Sequence, residues 1–131
     1  MLLTCLLPLA CVGQAPLPAK ASQPGCAQLL FISPAANCAQ AAVLAQRDVQ
    51  AHTPFLLLAS GIAPVVFTTD SAFTQQFRVQ YYEQGCSSAA LACMLAYNYY
   101  VFDYLQATYG KAWQRKVRKD VVGLRQWQRQ H

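Results

Sequence analysis

Along the chain the hydrophobic positions change their spacing several times, and each change marks a new element. From Ala39 the run Ala-Gln-Ala-Ala-Val-Leu-Ala-Gln-Arg-Asp-Val holds strong helix formers and meets no breaker until Thr53-Pro54; this predicts a helix. Phe55 to Ala59 is continuously apolar, the pattern of a strand buried on both faces. Gly61-Ile62-Ala63-Pro64 interrupts it, and Val65-Val66-Phe67-Thr68-Thr69 is short and β-branched. Asp70 suits the N-cap of a brief helix from Ser71 to Phe77. Arg78 to Glu83 reads as a second strand, with Val79 and Tyr81 on one face and Tyr82 on the other. About eighteen residues separate the strands, enough for a parallel crossover, for which a right-handed path is expected.

The longest periodic stretch runs from Ala89 to Tyr109, with Ser87 or Ser88 as its cap. At about 100° per residue, Leu91, Met94, Leu95, Asn98, Val101, Phe102, Leu105 and Tyr109 share one face. Asn98 is an amide inside an apolar stripe, and a buried amide needs partners. The expectation is a structural clip on a strand end or loop carbonyl, with a ligand contact as the alternative. Gly110 ends this helix. If a last helix runs on unbroken, Trp113, Val117, Val121, Leu124 and Trp127 face inward, while Lys111, Arg115, Arg118, Lys119, Arg125 and Arg129 lie opposite. Gly123 is the place where it would stop early.

These elements predict an α+β fold, a small two-stranded, βαβ-like core packed against long C-terminal helices. Three regions are expected. Residues 1–15 form a signal-like segment. Residues 16–45 hold a Pro/Ala/Ser-rich linker, a loop carrying Cys26 and Cys38, and the start of the first helix. Residues 46–131 form one α+β domain with a basic C-terminal helix.

Met1 to Ala15 has no charge and carries Leu2, Leu3, Leu6, Leu7 and Leu9, followed by Pro16 and Pro18. This is the apolar core of a secretory signal without a positive charge before it, and Gly13-Gln14-Ala15 is a passable cleavage site. Leu9-Ala10-Cys11 also makes Cys11 a candidate lipidation site, and a buried Leu-rich first helix is the third reading. Export to the periplasm, outer envelope or medium of a bacterium is the expectation. No apolar run reaches the eighteen or so residues of a membrane span.

Export gives the cysteines a role. Without Cys5 and Cys11, four remain, namely Cys26, Cys38, Cys86 and Cys93. In an oxidising compartment they read as two disulfides with three possible connectivities. Local pairing, Cys26 with Cys38 and Cys86 with Cys93, is preferred, each loop contributing about 2–3 kcal/mol. Cysteines seven apart on one helix stand about 10 Å apart, so Cys86 would have to precede the long helix. Buried thiols are the other reading. No cysteine spacing matches a zinc site, and neither a metal nor a cofactor is expected.

Charge adds one asymmetry. Seven of the ten Lys and Arg residues fall in Lys111 to His131 beside a single acid, Asp120. The net charge of +5 therefore belongs to the C-terminal stretch. Its outward cations are candidates for an anionic lipid or polysaccharide surface, although a solvated helix face is the usual explanation of such a pattern. Nucleic acid is not an expected partner of an exported chain.

From about Asp48 to Leu124 the sequence resembles a family of small, often exported bacterial proteins, the FEKKY domain family. The similarity rests on Pro54-Phe55-Leu56-Leu57-Leu58 with Gly61-Ile62-Ala63-Pro64-Val65, Tyr81-Tyr82-Glu83-Gln84-Gly85-Cys86, and Tyr97-Asn98 with Val101-Phe102. Tyr109-Gly110-Lys111, Trp113 and Val117 to Leu124 continue it. The run that gives the family its name corresponds to Phe73-Thr74-Gln75-Gln76-Phe77, which keeps only the aromatic spacing. The resemblance implies a compact, often exported α+β unit and carries over no catalytic residues.

The chemistry available is narrow. The five acids, Asp48, Asp70, Glu83, Asp103 and Asp120, are dispersed, whereas carboxylate-pair hydrolysis needs two in one cleft. A Cys86 nucleophile would have to borrow His52. No phosphate-cradling Gly-rich loop is present. A thiol oxidoreductase using Cys86 is the best enzymatic reading, because a helix N-terminus lowers a thiol pKa. The leading expectation is a non-enzymatic exported interaction module with an unknown protein partner; anionic-surface binding through the basic stretch comes second, and thiol redox chemistry third.

Overall fold

The computed structural model describes residues 25–29, 38–59, 63–83 and 89–131. The signal-like segment 1–15, Cys11 and Cys86 lie outside them. In chain order the elements are α1 (Gly25–Gln28), α2 (Ala39–Gln50), β1 (Phe55–Leu58), α3 (Asp70–Phe77), β2 (Gln80–Glu83), α4 (Leu91–Tyr109), α5 (Ala112–Lys116) and α6 (Leu124–Gln128). The protein is α+β. β1 and β2 pair in parallel with Phe55 opposite Gln80 and Leu58 opposite Glu83, and α3 lies in the crossover between them. No helix among the described residues is long and apolar enough to cross a membrane.

All four residues of β1 are buried, because the strand is enclosed on both faces and on both edges. β2 covers one edge. On the other, Leu58 bridges Val121 in antiparallel fashion, and Asn98 reaches across from α4. The Asn98 side chain accepts from the Leu57 N–H at 2.9 Å and donates to Leu57 O at 3.0 Å and Val122 O at 2.9 Å. One amide thus satisfies both main-chain groups of a fully buried residue.

A second buried polar group organises the other end. Asp48 of α2 accepts from the backbone N–H groups of Gly25 and Cys26, at 2.8 and 3.1 Å, and from the Tyr97 hydroxyl at 2.6 Å. Burial, followed by the bond to Asp48, raises the pKa of Tyr97 far above that of an ordinary phenol. A side chain at position 25 would collide with Leu44 O at 2.7 Å and the Asp48 carboxylate at 2.8 Å, so only glycine lets α1 close on α2. Cys26 and Leu29 are fully buried with Ala41, Leu44 and Ala45. The expected domain boundary at position 46 therefore falls inside α2, and both halves of that helix share one core.

The disulfide framework also differs from the preferred local pairing. Cys38, at the start of α2, is bonded to Cys93 in α4, with the Cα atoms 4.7 Å apart. Short-loop arguments favoured neighbours in sequence, but packing of α2 along α4 puts these two sulfurs together. A link across 55 residues contributes about 4 kcal/mol in the chain-entropy description. It joins the two helices that Asp48 and Tyr97 also join.

The C-terminal stretch is not one helix. α5 ends at Lys116, Val117 turns extended, Val121 bridges Leu58, and α6 restarts after Gly123 at φ 81°. A side chain at Gly123 would meet Leu95 and Tyr99 at 2.6 and 2.8 Å. The break still buries every apolar residue expected to face inward. Trp113, Phe102 and Trp127 pack as an aromatic trio with centroids 5.5–5.6 Å apart, and Trp127 Nε1 donates to Asp103 at 2.9 Å. Two non-glycine residues, His52 and Arg78, hold left-handed φ values of 59° and 57°. Such conformations cost about 1–3 kcal/mol each.

Asn98→Ala should lower unfolding stability by about 2–4 kcal/mol, because it leaves the buried Leu57 N–H and the part-buried Val122 carbonyl short of a partner. Asn98→Asp should be no better, since a carboxylate would face two carbonyl oxygens. Urea titration followed by tryptophan fluorescence checks both.

Candidate functional site

Arg118 follows α5, in the segment drawn inward by buried Val117 and Val121. Only 6% of its side chain is exposed, so its charge and donors must be met within the fold. Nε and Nη2 donate to the two oxygens of Asp120 at 3.0 and 2.6 Å, a bidentate fork. Nη1 donates to Val65 O at 2.7 Å and to Asp70 Oδ2 at 3.2 Å. Glu83 stands 3.7 Å from Nη2. The rings of Phe67 and Tyr81 lie 4.7 and 5.4 Å from the guanidinium carbon, adding cation–π attraction.

The charges respond as this geometry requires. The bond to Asp120 raises the pKa of Arg118, and the same bond lowers that of Asp120. Burial pushes the Tyr81 hydroxyl up to about 12, even though that oxygen accepts the Arg118 N–H at 3.1 Å. Tyr81 is fixed further by stacking on Phe73, 5.2 Å away.

What the cluster holds is a loop. The Val65 N–H donates to Glu83 Oε1 at 3.3 Å and the Phe67 N–H to Asp70 Oδ2 at 2.9 Å. Together with the Arg118 bond to Val65 O, residues 65–67 are fixed at three points. Their side chains nevertheless face outward, with Val65 52%, Val66 83% and Phe67 49% exposed. Beside them a cavity of about 500 Å³ runs between the loop, α3 and β2, walled by Leu58, Pro64, Val65, Val66 and Tyr81 with Asp70 and Glu83 at its polar end. Asp70 Oδ1 is buried there with no hydrogen-bond partner among the described residues. One cation against three carboxylates leaves the cluster net negative, in a chain of net charge +5.

Several expected site residues take other places. Asp70 is not the cap of α3 but its first residue, and Thr69 precedes it without a capping side-chain bond. Its carboxylate serves Phe67 and Arg118 instead. Arg118 leaves the group of outward cations, because the helix that would have pointed it to solvent stops before it. Lys111, Arg115, Lys119, Arg125 and Arg129 are exposed. Cys93 is fully buried in its disulfide. The Cys26 thiol is pushed up to about 12 by burial, then by Asp48, so at neutral pH it is not a nucleophile. His52 lines a cavity with Arg78 and Tyr109; its pairing with Cys86 falls outside the described residues.

Sequence reasoning missed the cluster itself. Its members are separated by up to 53 positions, and no local pattern joins them. The one signal in the sequence is the apolar run Val65-Val66-Phe67 next to Pro64, noted as short and β-branched within the crossover but given no role. Among known proteins, no family description, no curated sequence and no solved structure matches this chain.

Arg118→Met should lower unfolding stability, because it removes the cation shared by half-buried Asp70 and Glu83 and the donor to Val65 O. The acid side carries a second test. The Asp120 pKa is depressed in the folded state, so its contribution is complete above the ordinary carboxylate range and is lost as the pH falls through the lowered value. Stability of the wild type should therefore decline below about pH 5, and Arg118→Met should decline less steeply. Chemical denaturation at several pH values measures this.

Proposed function

We propose that the protein is a non-enzymatic, exported interaction module of the FEKKY type, which binds a protein partner through the Val65–Phe67 loop and the groove beside it. The observation that carries the reading is the exposure of three consecutive apolar side chains on a backbone clamped by Arg118, Asp70 and Glu83. Exposed apolar patches mark interaction surfaces, and a loop fixed beforehand loses little entropy on binding. The partner segment that fits is apolar and carries an N–H or cationic donor for the open oxygen of Asp70.

The use of the acids supports a binding role over catalysis. Asp48 holds backbone amides, Asp103 a tryptophan, and Asp70, Glu83 and Asp120 one arginine. Each carboxylate has a structural duty. The long-range disulfide is in keeping with export, since such bonds persist in oxidising compartments. Thiol redox chemistry gains little from a buried Cys93 and a poorly ionised Cys26.

A photo-reactive amino acid at Val66 of the full chain, expressed in its native cells, should yield one discrete adduct in the envelope or medium. The same group at Val43, an exposed valine on α2, should not. Equal labelling at both positions, or none at Val66, rejects the loop as the binding surface.

A second reading, attachment to an anionic lipid or polysaccharide surface, is favoured by the exposed Lys111, Arg115, Lys119, Arg125 and Arg129. Replacing these five by Gln should abolish salt-dependent binding to anionic vesicles if this reading holds. Unchanged binding, or binding indifferent to salt, eliminates it.

A further inference from the structure

The C-terminal corner of α2, the end of α3 and the last turns of α4 meet around a second cavity of about 510 Å³. Its lining is rich in hydrogen-bond donors, with the imidazole of His52, the hydroxyls of Thr53 and Thr74, the guanidinium of Arg78 and the phenols of Tyr104 and Tyr109. No carboxylate lines it, and among the described residues Arg78 forms no ion pair. We propose that this cavity binds the oxyanion, phosphate or carboxylate, of a small polar ligand.

Two features converge on that assignment. Within the described residues, His52 and Arg78 are the only non-glycine residues with positive φ, and both line this one cavity. Each closes a helix through a backbone bond, His52 N–H to Val49 O and Arg78 N–H to Thr74 O. Glycine or asparagine is the relaxed choice for such a position. The chain instead places two side chains able to carry positive charge there, and strain of this kind clusters at ligand sites. The second feature is the phenol pair. Tyr104 and Tyr109 line the same cavity as Arg78, so both phenols share its wall with the guanidinium-bearing residue. An arginine fork with hydroxyl donors around it is the usual chemistry of phosphate and carboxylate recognition.

Complementing the negative ends of helices α2 and α3 is the competing explanation for the two cations, and the test separates the two. The full chain is titrated with sodium phosphate and, separately, with sodium acetate at constant ionic strength balanced by chloride, while backbone amide shifts are followed by NMR. Saturable shifts at the amides of Thr53 and Arg78 are expected. Stronger binding of phosphate identifies a phosphate ligand, and stronger binding of acetate a carboxylate ligand. Arg78→Gly should leave the thermal midpoint unchanged or raised, because glycine relieves the strain, yet weaken anion binding at least tenfold. Tyr109→Phe should weaken it by a smaller factor without unfolding the protein. Non-saturating shifts, shifts centred on Lys119 and Arg125, or undiminished affinity in Arg78→Gly each overturn the proposal.

Discussion

A buried guanidinium has to be surrounded before the C-terminal half of this protein can close. Arg118 carries a charge that does not leave it at any physiological pH, so burial is tolerable only if its donors find acceptors and its charge finds counter-charges. Those partners come from the loop after β1, the first turn of α3, the end of β2 and the turn before Val121. Four stretches with little reason of their own to meet are thereby fixed to one another. An exposed apolar loop, a groove and a concentration of negative charge follow from that one requirement.

The other half is held by the same logic with the signs reversed. Asp48 is a buried acid whose acceptor capacity is filled by two main-chain amides and a tyrosine hydroxyl. Asn98 is its neutral counterpart, filled on both its donor and acceptor sides. Around these polar points the core is ordinary aliphatic and aromatic packing. The disulfide adds a covalent link where α2 and α4 already touch, so it reinforces an arrangement that side-chain chemistry specifies independently.

How much of this was readable depended on whether the cause was local. The strand at Phe55 and the helices at Ala39 and Leu91 announced themselves because composition and period act over a few residues. Asn98 stood out because an amide in an apolar stripe demands an explanation. The break after Lys116 was hidden, since Val117, Val121 and Leu124 fit a helical period and only the bridge to Leu58 diverts the chain. Arg118 was misplaced by that same assumption of continuity. The sulfur pairing was misjudged because loop closure is a property of the unfolded chain, whereas proximity of Cys38 to Cys93 is a property of the packed helices. The left-handed residues at 52 and 78 carried no sequence mark, neither being glycine nor asparagine.

The way β1 is sealed has a consequence for solubility. A bare strand edge is a template on which further chains polymerise, and small sheets have few means to guard both sides. Here the Asn98 side chain and the backbone of Val121 and Val122 together occupy the place of a third strand beside Leu57 and Leu58. Docking of a further chain on this buried strand is thus opposed by one amide together with the short bridge at Val121, with no need for the charged or proline-bearing edges that larger sheets use.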